Sequence, residues 1–171
     1  DRLYASMSYW LAWLPGGLMH ANIGACMMFA ATSGSSVATA ATIGTVATPV
    51  IGKYDYSERL FLGSLAAGGT LGILIPPSIN LIIYGWLTET SVPDLYLAGF
   101  VPGIVLGVIF MATIVICCLV KPEWRGKAIE SSWTEQIASL RDLVPPLMIF
   151  LVVIGNIYAG FATPTESAAL G

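Results

Sequence analysis

Apolar residues fill most of the first third of the chain, and a short polar segment interrupts them. The apolar run 18–31 gives way to Thr-Ser-Gly-Ser-Ser at 32–36, and a second apolar run follows at 37–51. Each run is shorter than the roughly 20 residues that a membrane-spanning helix needs. The pattern therefore predicts a re-entrant helical hairpin over 18–51, which enters and leaves a membrane on one side and has its tip at 32–36.

A second interruption falls inside the next uncharged stretch, residues 60–85. Gly-Gly-Thr-Leu-Gly at 68–72 and Ile-Pro-Pro-Ser at 75–78 divide this stretch, which predicts a broken transmembrane helix that restarts at Pro76-Pro77-Ser78. A bilayer cannot hydrate the backbone groups that such a break exposes, so breaks occur only inside protein or beside water. Two interrupted hydrophobic segments in one chain indicate the binding site of a membrane transporter.

The rest of the chain follows the same alternation of apolar runs and polar loops. Residues 1–17 are rich in Trp and Tyr and are predicted to be an interfacial lead-in, and the uncharged run 95–120 is predicted to be a transmembrane helix. We expect a cytoplasmic amphipathic connecting helix over 121–142 and the start of the next transmembrane helix, or of a second repeat, over 143–171. The fold class is all-α, a polytopic membrane protein.

Composition and charge support this assignment and orient it. The chain is 56% hydrophobic and 10% charged, against about 25% charged in ordinary soluble domains. Loops 53–59 and 121–141 hold all of the Lys and Arg except Arg2, and loop 86–94 holds none. The positive-inside rule then makes the two basic loops cytoplasmic and 86–94 periplasmic. The small net charge of −3 gives no indication of nucleic acid as a partner.

Candidate chemistry lies at the two interruptions. Helix carbonyl ends suit Na⁺, whereas helix N–H ends suit a carboxylate. We predict a sodium site at Ser33, Gly34, Ser35, Ser36, Gly69 and Gly72, and a site for a carboxylate substrate at Ser36, Thr39, Pro77, Ser78 and Asn80. The apolar segments hold no titratable side chain that suits proton coupling except His20, which is better explained as a packing or interfacial residue, so sodium is the expected coupling ion.

Other features give weaker signals. The three cysteines lie in apolar surroundings without metal-ligand spacing, and no catalytic motif, P-loop or dinucleotide fingerprint is present, so we expect neither an enzyme nor a cofactor. Glu166 in Thr-Pro-Thr-Glu fits a helix cap about as well as a functional role.

Three alternatives compete with the transporter hypothesis. The polar segment at 32–36 also fits close helix packing, and Pro76-Pro77 also fits a simple kink. From a different class, a channel or pore-forming subunit can line its path with a re-entrant loop. A channel filter is usually built from several chains, whereas here two interruptions face each other within one chain, which favours a carrier.

Four motifs resemble one family. They are GGLMHANIGACMMFAATSGSSVATAATIG at 16–44, GTLGILIPPSINLIIYG at 69–85, LAGFVPG at 97–103 and GFATPTESAA at 160–169. Together they resemble the large membrane subunit of tripartite ATP-independent periplasmic (TRAP) transporters over nearly the whole chain.

The resemblance implies a function that goes beyond the residues themselves. It implies a sodium-driven importer of a carboxylate or sialic acid-like solute in the bacterial inner membrane, surrounded by membrane lipids. A periplasmic substrate-binding protein and a small four-helix membrane subunit are the implied partners, and an elevator-type movement of inverted repeats is the implied mechanism. The chain is shorter than the family pattern and corresponds to about one repeat, so a matching second hairpin and broken helix are expected outside it.

Overall fold

The computed structural model describes residues 2–127, 132–161, 163 and 166, and its regular structure in these residues is entirely helical. The seven α-helices are α1 (Arg2–Leu11), α2 (Leu18–Ser33), α3 (Ser36–Ala47), α4 (Glu58–Thr70), α5 (Ile79–Thr88), α6 (Val92–Val120) and α7 (Trp133–Tyr158). Short 3-10 turns follow α3, α4 and α6. The all-α class expected from the sequence is confirmed.

Helices α2 and α3 are joined by only two residues, Gly34 and Ser35. Gly34 ends α2 because it adopts the left-handed conformation, with φ 61°, and its N–H donates to the Ala30 carbonyl at 3.0 Å. Ser35 is extended, and its Oγ accepts from the Ala38 N–H at 3.3 Å, so it caps the start of α3. The helical hairpin and its polar tip therefore lie where the sequence predicts them, while its re-entrant relation to a membrane stays a prediction.

The predicted broken helix is divided into α4 and α5. Helix α4 ends at Thr70, a 3-10 turn covers Leu71–Ile73, and α5 begins at Ile79. The predicted restart at Pro76-Pro77-Ser78 comes too early, because both prolines precede Ser78, the extended residue before α5. The Pro76–Pro77 peptide bond is cis.

Two helices within the described residues are long and apolar enough to cross a membrane, α6 with 29 residues and α7 with 26. The end of α7 contacts the start of α6, where the Tyr158 hydroxyl donates to the Pro93 carbonyl at 2.7 Å. Val153 and Ile157 of α7 are buried against Tyr96 of α6 in the same region. Much of the remaining apolar surface of both helices is exposed, as expected of helices that face lipid.

The predicted boundary between a connecting helix at 121–142 and a new segment at 143 differs from the structure. Ser132 and Glu135 form a capping box that starts α7, and the helix continues without interruption to Tyr158. Residues 133–142 are therefore the first turns of a membrane-length helix, and residues 128–131 of the predicted connecting helix lie outside the described residues.

Residues 2–11 form a packed helix where the sequence suggested only an interfacial lead-in. Tyr4, Ser6 and Ser8 of α1 are buried, and the Ser6 hydroxyl donates to the Ser139 carbonyl of α7 at 3.1 Å. Helix α2 lies at the centre of the fold, in contact with α1, α3, α4, α6 and α7. The core accordingly forms around α2, which is buried on nearly every side.

The two loops rich in Lys and Arg contact each other. The Lys127 N–H donates to the Tyr54 carbonyl at 2.8 Å, and Lys127 Nζ lies 2.6 Å from an Asp55 carboxylate oxygen. These contacts agree with the expectation that both basic loops lie on one face of the protein.

Candidate functional site

The hairpin tip and the helix break are joined directly through the backbone. The Ile79 N–H at the start of α5 donates to the Gly34 carbonyl at 3.2 Å. The first N–H groups of a helix have no partner within the helix, so another group must satisfy them. The Ser78 side chain does not do so, because its hydroxyl donates back to the Ile73 carbonyl at 2.7 Å. The tip therefore caps the helix that restarts after the break.

Glycines allow the two interruptions to approach this closely. A Cβ added to Gly34 would lie 2.5 Å from the Pro77 carbonyl oxygen, and the φ of 61° is unfavourable for other residues. A Cβ on Gly72 would lie 2.9 Å from the Ser36 backbone nitrogen. A Cβ on Gly69 would lie 2.7 Å from the Ala40 Cβ, one helical turn further along α3. We call this contact region, residues 33–36 with 69–79, the tip–break junction.

Several hydroxyls of the tip bond to one another. The Thr39 hydroxyl donates to the Ser35 carbonyl at 2.7 Å, and the Ser33 hydroxyl lies 3.1 Å from the Thr39 hydroxyl. Thr39 is fully buried, whereas Ser33 and Ser35 are half-buried. These bonds fix the shape of the tip, and they orient the carbonyl of Ser35 and the hydroxyls around it.

The Ser36 hydroxyl differs from its neighbours. Ser36 is half-buried, and its hydroxyl has no hydrogen bond to any part of the chain that the structure describes. It lies at the first position of α3, beside Gly72. A hydroxyl that is positioned but unused can donate to, or accept from, a bound ligand.

The structure brings most of the predicted site residues together. Ser35, Ser36, Gly72, Pro77 and Gly34 line one contact region, with Ser78 directly behind it. Asn80 is less closely associated: it is exposed on the first turn of α5, and no hydrogen bond joins its side chain to the described residues. Neither the sodium assignment nor the substrate assignment is tested by this geometry, and both stay predictions.

Sequence reasoning missed a chain of buried side chains at the other end of the hairpin. The Tyr4 hydroxyl donates to Asn22 Oδ1 at 2.8 Å, and Asn22 Nδ2 donates to the Ser64 hydroxyl at 2.8 Å. Ser64 in turn donates to the Phe61 carbonyl at 2.7 Å. We call this chain the Tyr4–Asn22–Ser64 network. Its signal in the sequence was an asparagine within an otherwise apolar run, since a buried amide needs partners.

Three further expectations concern single residues. His20 is fully buried in the core and one ring nitrogen lies 2.9 Å from the Pro15 carbonyl, which agrees with a packing role. Thr163 and Glu166 form reciprocal hydrogen bonds, which agrees with the capping explanation of Glu166 and does not test a functional role. Cys26 and Cys118 are buried, as expected of small apolar side chains.

The fold and site together define a class of protein. Two helices of membrane length flank a helical hairpin and an interrupted helix, and the two interruptions meet. Membrane transporters bind solutes and coupling ions at interruptions of this kind.

Comparison with known proteins identifies the family. The family model described as "Tripartite ATP-independent periplasmic transporter, DctM component" matches residues 1–171. The chain belongs to this family of transporter permease subunits, which are not enzymes.

Curated relatives share this stretch at substantial identity. The C4-dicarboxylate TRAP transporter large permease protein DctM of Pseudomonas aeruginosa is 44% identical over 155 residues, covering 91% of this chain and 36% of the relative. The ectoine TRAP transporter large permease protein TeaC of Halomonas elongata is 35% identical over 171 residues, covering 99% of this chain and 39% of the relative. The sialic acid TRAP transporter large permease protein SiaM of Vibrio cholerae is 32% identical over 170 residues, covering 99% of this chain and 39% of the relative. The chain thus spans little more than a third of the length of these relatives.

Proposed function

We propose that this chain supplies about half of the ion and solute site of a sodium-coupled importer, and that the tip–break junction is its contribution. The observation that carries the proposal is the contact between the two interruptions, in which the Gly34 carbonyl accepts from the Ile79 N–H. A junction of this kind places the carbonyl end of α2 and the N–H ends of α3 and α5 within one small region. It is therefore suited to a cation and an anion at once.

For the cation, we propose a Na⁺ ion held by oxygens of the tip and the break. The hydroxyls and carbonyls of Ser33, Ser35 and Ser36, with carbonyls of Gly34, Gly69 and Gly72, supply oxygen ligands without a carboxylate. No group of three or more His, Cys, Asp or Glu residues that could hold a metal ion occurs among the described residues. The ligands that we propose for this chain are therefore neutral oxygens.

For the substrate, we propose that the start of α3 and the start of α5 help to hold a carboxylate group. The unused Ser36 hydroxyl is the strongest candidate contact, while Thr39, Pro77 and Ser78 fix the shape of the site and Asn80 lies at its exposed edge. The relatives are named for C4-dicarboxylate, ectoine and sialic acid, yet each shares this stretch at 32–44% identity. We therefore assign the choice of solute mainly to groups outside this chain.

For the whole permease, we propose an inner-membrane importer that works with two partners. A periplasmic substrate-binding protein delivers the solute, and a small four-helix membrane subunit supports the permease in the bilayer. The loop at 86–94 faces the periplasm, the two basic loops face the cytoplasm, and the site moves between them by an elevator-type displacement. Family membership and the contact between the basic loops support this arrangement.

The test is uptake by the complete transporter in proteoliposomes. We expect radiolabelled solute to accumulate under an inward sodium gradient and not under a proton gradient alone. The matched control is the same vesicles with the sodium gradient collapsed by an ionophore. Transport that continues undiminished without sodium contradicts sodium coupling, and a non-saturable flux in both directions would instead support a channel.

A further inference from the structure

A cavity of about 230 Å³ lies at the end of α6, at a distance from the tip–break junction. Its walls come from three segments: the α1–α2 loop at 12–17, Tyr56, and residues 125–127 after α6. We call it the α6-end cavity. Its charged lining consists of Arg125 and Lys127, both cations, and no carboxylate is part of the lining.

Arg125 is held in a fixed orientation at the wall of the cavity. Its Nε donates to the Cys118 carbonyl at 3.1 Å, in the last turn of α6. A guanidinium has five N–H groups, so four others are available to an anion. No carboxylate pairs with Arg125 within the described residues, and the side chain is only half-buried. Among the described residues, the guanidinium is therefore oriented by one backbone hydrogen bond and has no ion-pair partner.

The other polar groups of the wall can also donate. Tyr56 is buried, and its hydroxyl oxygen accepts from the Leu18 N–H at 3.1 Å, so its own hydrogen is available. Burial raises the pKa of Tyr56, although the hydrogen bond from Leu18 opposes that rise, and the hydroxyl stays protonated at neutral pH. Lys127 pairs with Asp55 on the surface, where both side chains are about two-thirds exposed and the ion pair is weak.

The α6-end cavity lies next to the segment that follows the membrane-length helix α6. The apolar helix α6 ends at Val120, and Lys121 lies over the ring of Trp124 at 4.5 Å. Trp13, another wall residue, is 78% exposed. Tryptophan and basic residues at the end of a membrane-length helix mark the headgroup region. The last turns of α6 also expose Ile116, Leu119 and Val120, an apolar surface on which acyl chains can lie.

We propose that the α6-end cavity binds the phosphate headgroup of an anionic phospholipid. The Arg125 guanidinium contacts the phosphate oxygens through paired N–H donors, Lys127 adds a second positive charge, and the acyl chains follow the exposed face of α6. Basic pockets at helix ends bind anionic headgroups in this way. A soluble phosphate ester shares the headgroup chemistry, but it has no use for the apolar surface. This inference is independent of the proposed sodium and substrate sites.

The test measures lipid binding to the complete permease, purified with its membrane subunit, by native mass spectrometry. We expect phosphatidylglycerol to bind at least tenfold more tightly than phosphatidylcholine, whose headgroup is neutral overall. Arg125→Gln should weaken phosphatidylglycerol binding by about tenfold or more, because it removes charge-assisted hydrogen bonds. Arg125→Lys should give an intermediate loss, since it keeps the charge and loses the paired donors.

Two further variants distinguish a loss of lipid binding from misfolding and from a general effect of net charge. Lys127 is exposed, so Lys127→Gln should fold normally and weaken binding by about fivefold. Arg141→Gln makes the same charge change as Arg125→Gln at an exposed position of α7 and should leave binding within about twofold. Equal effects of the two Arg variants, or equal binding of the two lipids, overturn the proposal. Binding of glycerol 3-phosphate as tight as that of phosphatidylglycerol shows a soluble phosphate site instead and overturns the assignment to lipid.

Discussion

The tip–break junction and the Tyr4–Asn22–Ser64 network both place polar groups among apolar helices, but they satisfy those groups differently. In the network, side chains of α1, α2 and α4 bond to one another, with Tyr4 to Asn22 and Asn22 to Ser64 each at 2.8 Å. In the junction, the link between the interruptions is a backbone hydrogen bond from Ile79 to Gly34, at 3.2 Å.

This difference in hydrogen bonding indicates that the network serves stability and that the junction can serve binding. In the network Tyr4, Asn22 and Ser64 are all buried, and their polar groups are hydrogen-bonded inside the fold. At the junction, glycines allow the backbone to approach closely while the Ser36 hydroxyl remains unused and half-buried. Polar residues of membrane segments can thus hold helices together or keep a site open, and the pattern of their hydrogen bonds distinguishes the two roles.

Gly34→Ala should have the largest effect on uptake, because it disrupts the tip–break junction. The new Cβ would meet the Pro77 carbonyl oxygen at 2.5 Å and the left-handed backbone would be strained. Strain of about 1–3 kcal/mol and a lost hydrogen bond of about 1 kcal/mol predict a loss of uptake of about 30-fold to 900-fold. The measurement is solute uptake by the reconstituted transporter.

Gly44→Ala is the matched control, since a Cβ there meets nothing within 4 Å. It should transport normally. Normal uptake by Gly34→Ala would show that the close approach of tip and break is dispensable.

Asn22→Leu should have the next largest effect. We expect it to lower the stability of the permease and to leave its sodium dependence unchanged. It removes the acceptor of the buried Tyr4 hydroxyl and the donor to Ser64, at a cost of about 2–3 kcal/mol. The melting temperature of the purified permease should fall, while the sodium dependence of the remaining uptake should stay unchanged. Tyr84→Phe, at an exposed position of α5, is the control and should leave the melting temperature unchanged. A shifted sodium dependence in Asn22→Leu would mean that the network takes part in binding.

Ser36→Ala should have the smallest effect and the most specific one. The hydroxyl bonds to nothing in the described residues, so its loss should not lower the melting temperature. If it donates to a substrate carboxylate, its removal costs about 1.5 kcal/mol, or about a tenfold rise in the half-saturating substrate concentration. Thr45→Val, on an exposed part of the same helix, should leave that concentration unchanged. A change in sodium dependence alone would assign Ser36 to the cation site.

Much of the fold could be predicted because hydrophobic length and interruption carry strong signals. Gly34 and the serines around it indicated the hairpin tip, and the length of the uncharged run 95–120 indicated the spanning helix α6. The α7 boundary was missed because charged residues at 135–142 suggested a surface helix, although the capping box at Ser132 already marked a single start. Amphipathic first turns and an apolar continuation look like two elements in sequence but form one helix.

The site was predictable in its location but not in its bonding. The glycines and prolines of both interruptions indicated where backbone groups would be exposed. They did not indicate which donor would bond to which acceptor. That Gly34 would cap α5, or that Ser78 would bond to Ile73 instead, depends on tertiary contacts. Asn80 lies close to Ser78 in sequence, but on the first turn of α5 it is exposed at the surface.

The bond from Ile79 to Gly34 also has a consequence for biosynthesis. The carbonyl at the hairpin tip is made first, and its partner amide leaves the ribosome only after α4 has been synthesised. Until then the tip carries a polar group that a bilayer cannot satisfy. The nascent hairpin is therefore best kept beside the insertion machinery, in a hydrated environment, until residues 71–79 arrive. We therefore expect the two interruptions to insert together, and not one helix after another.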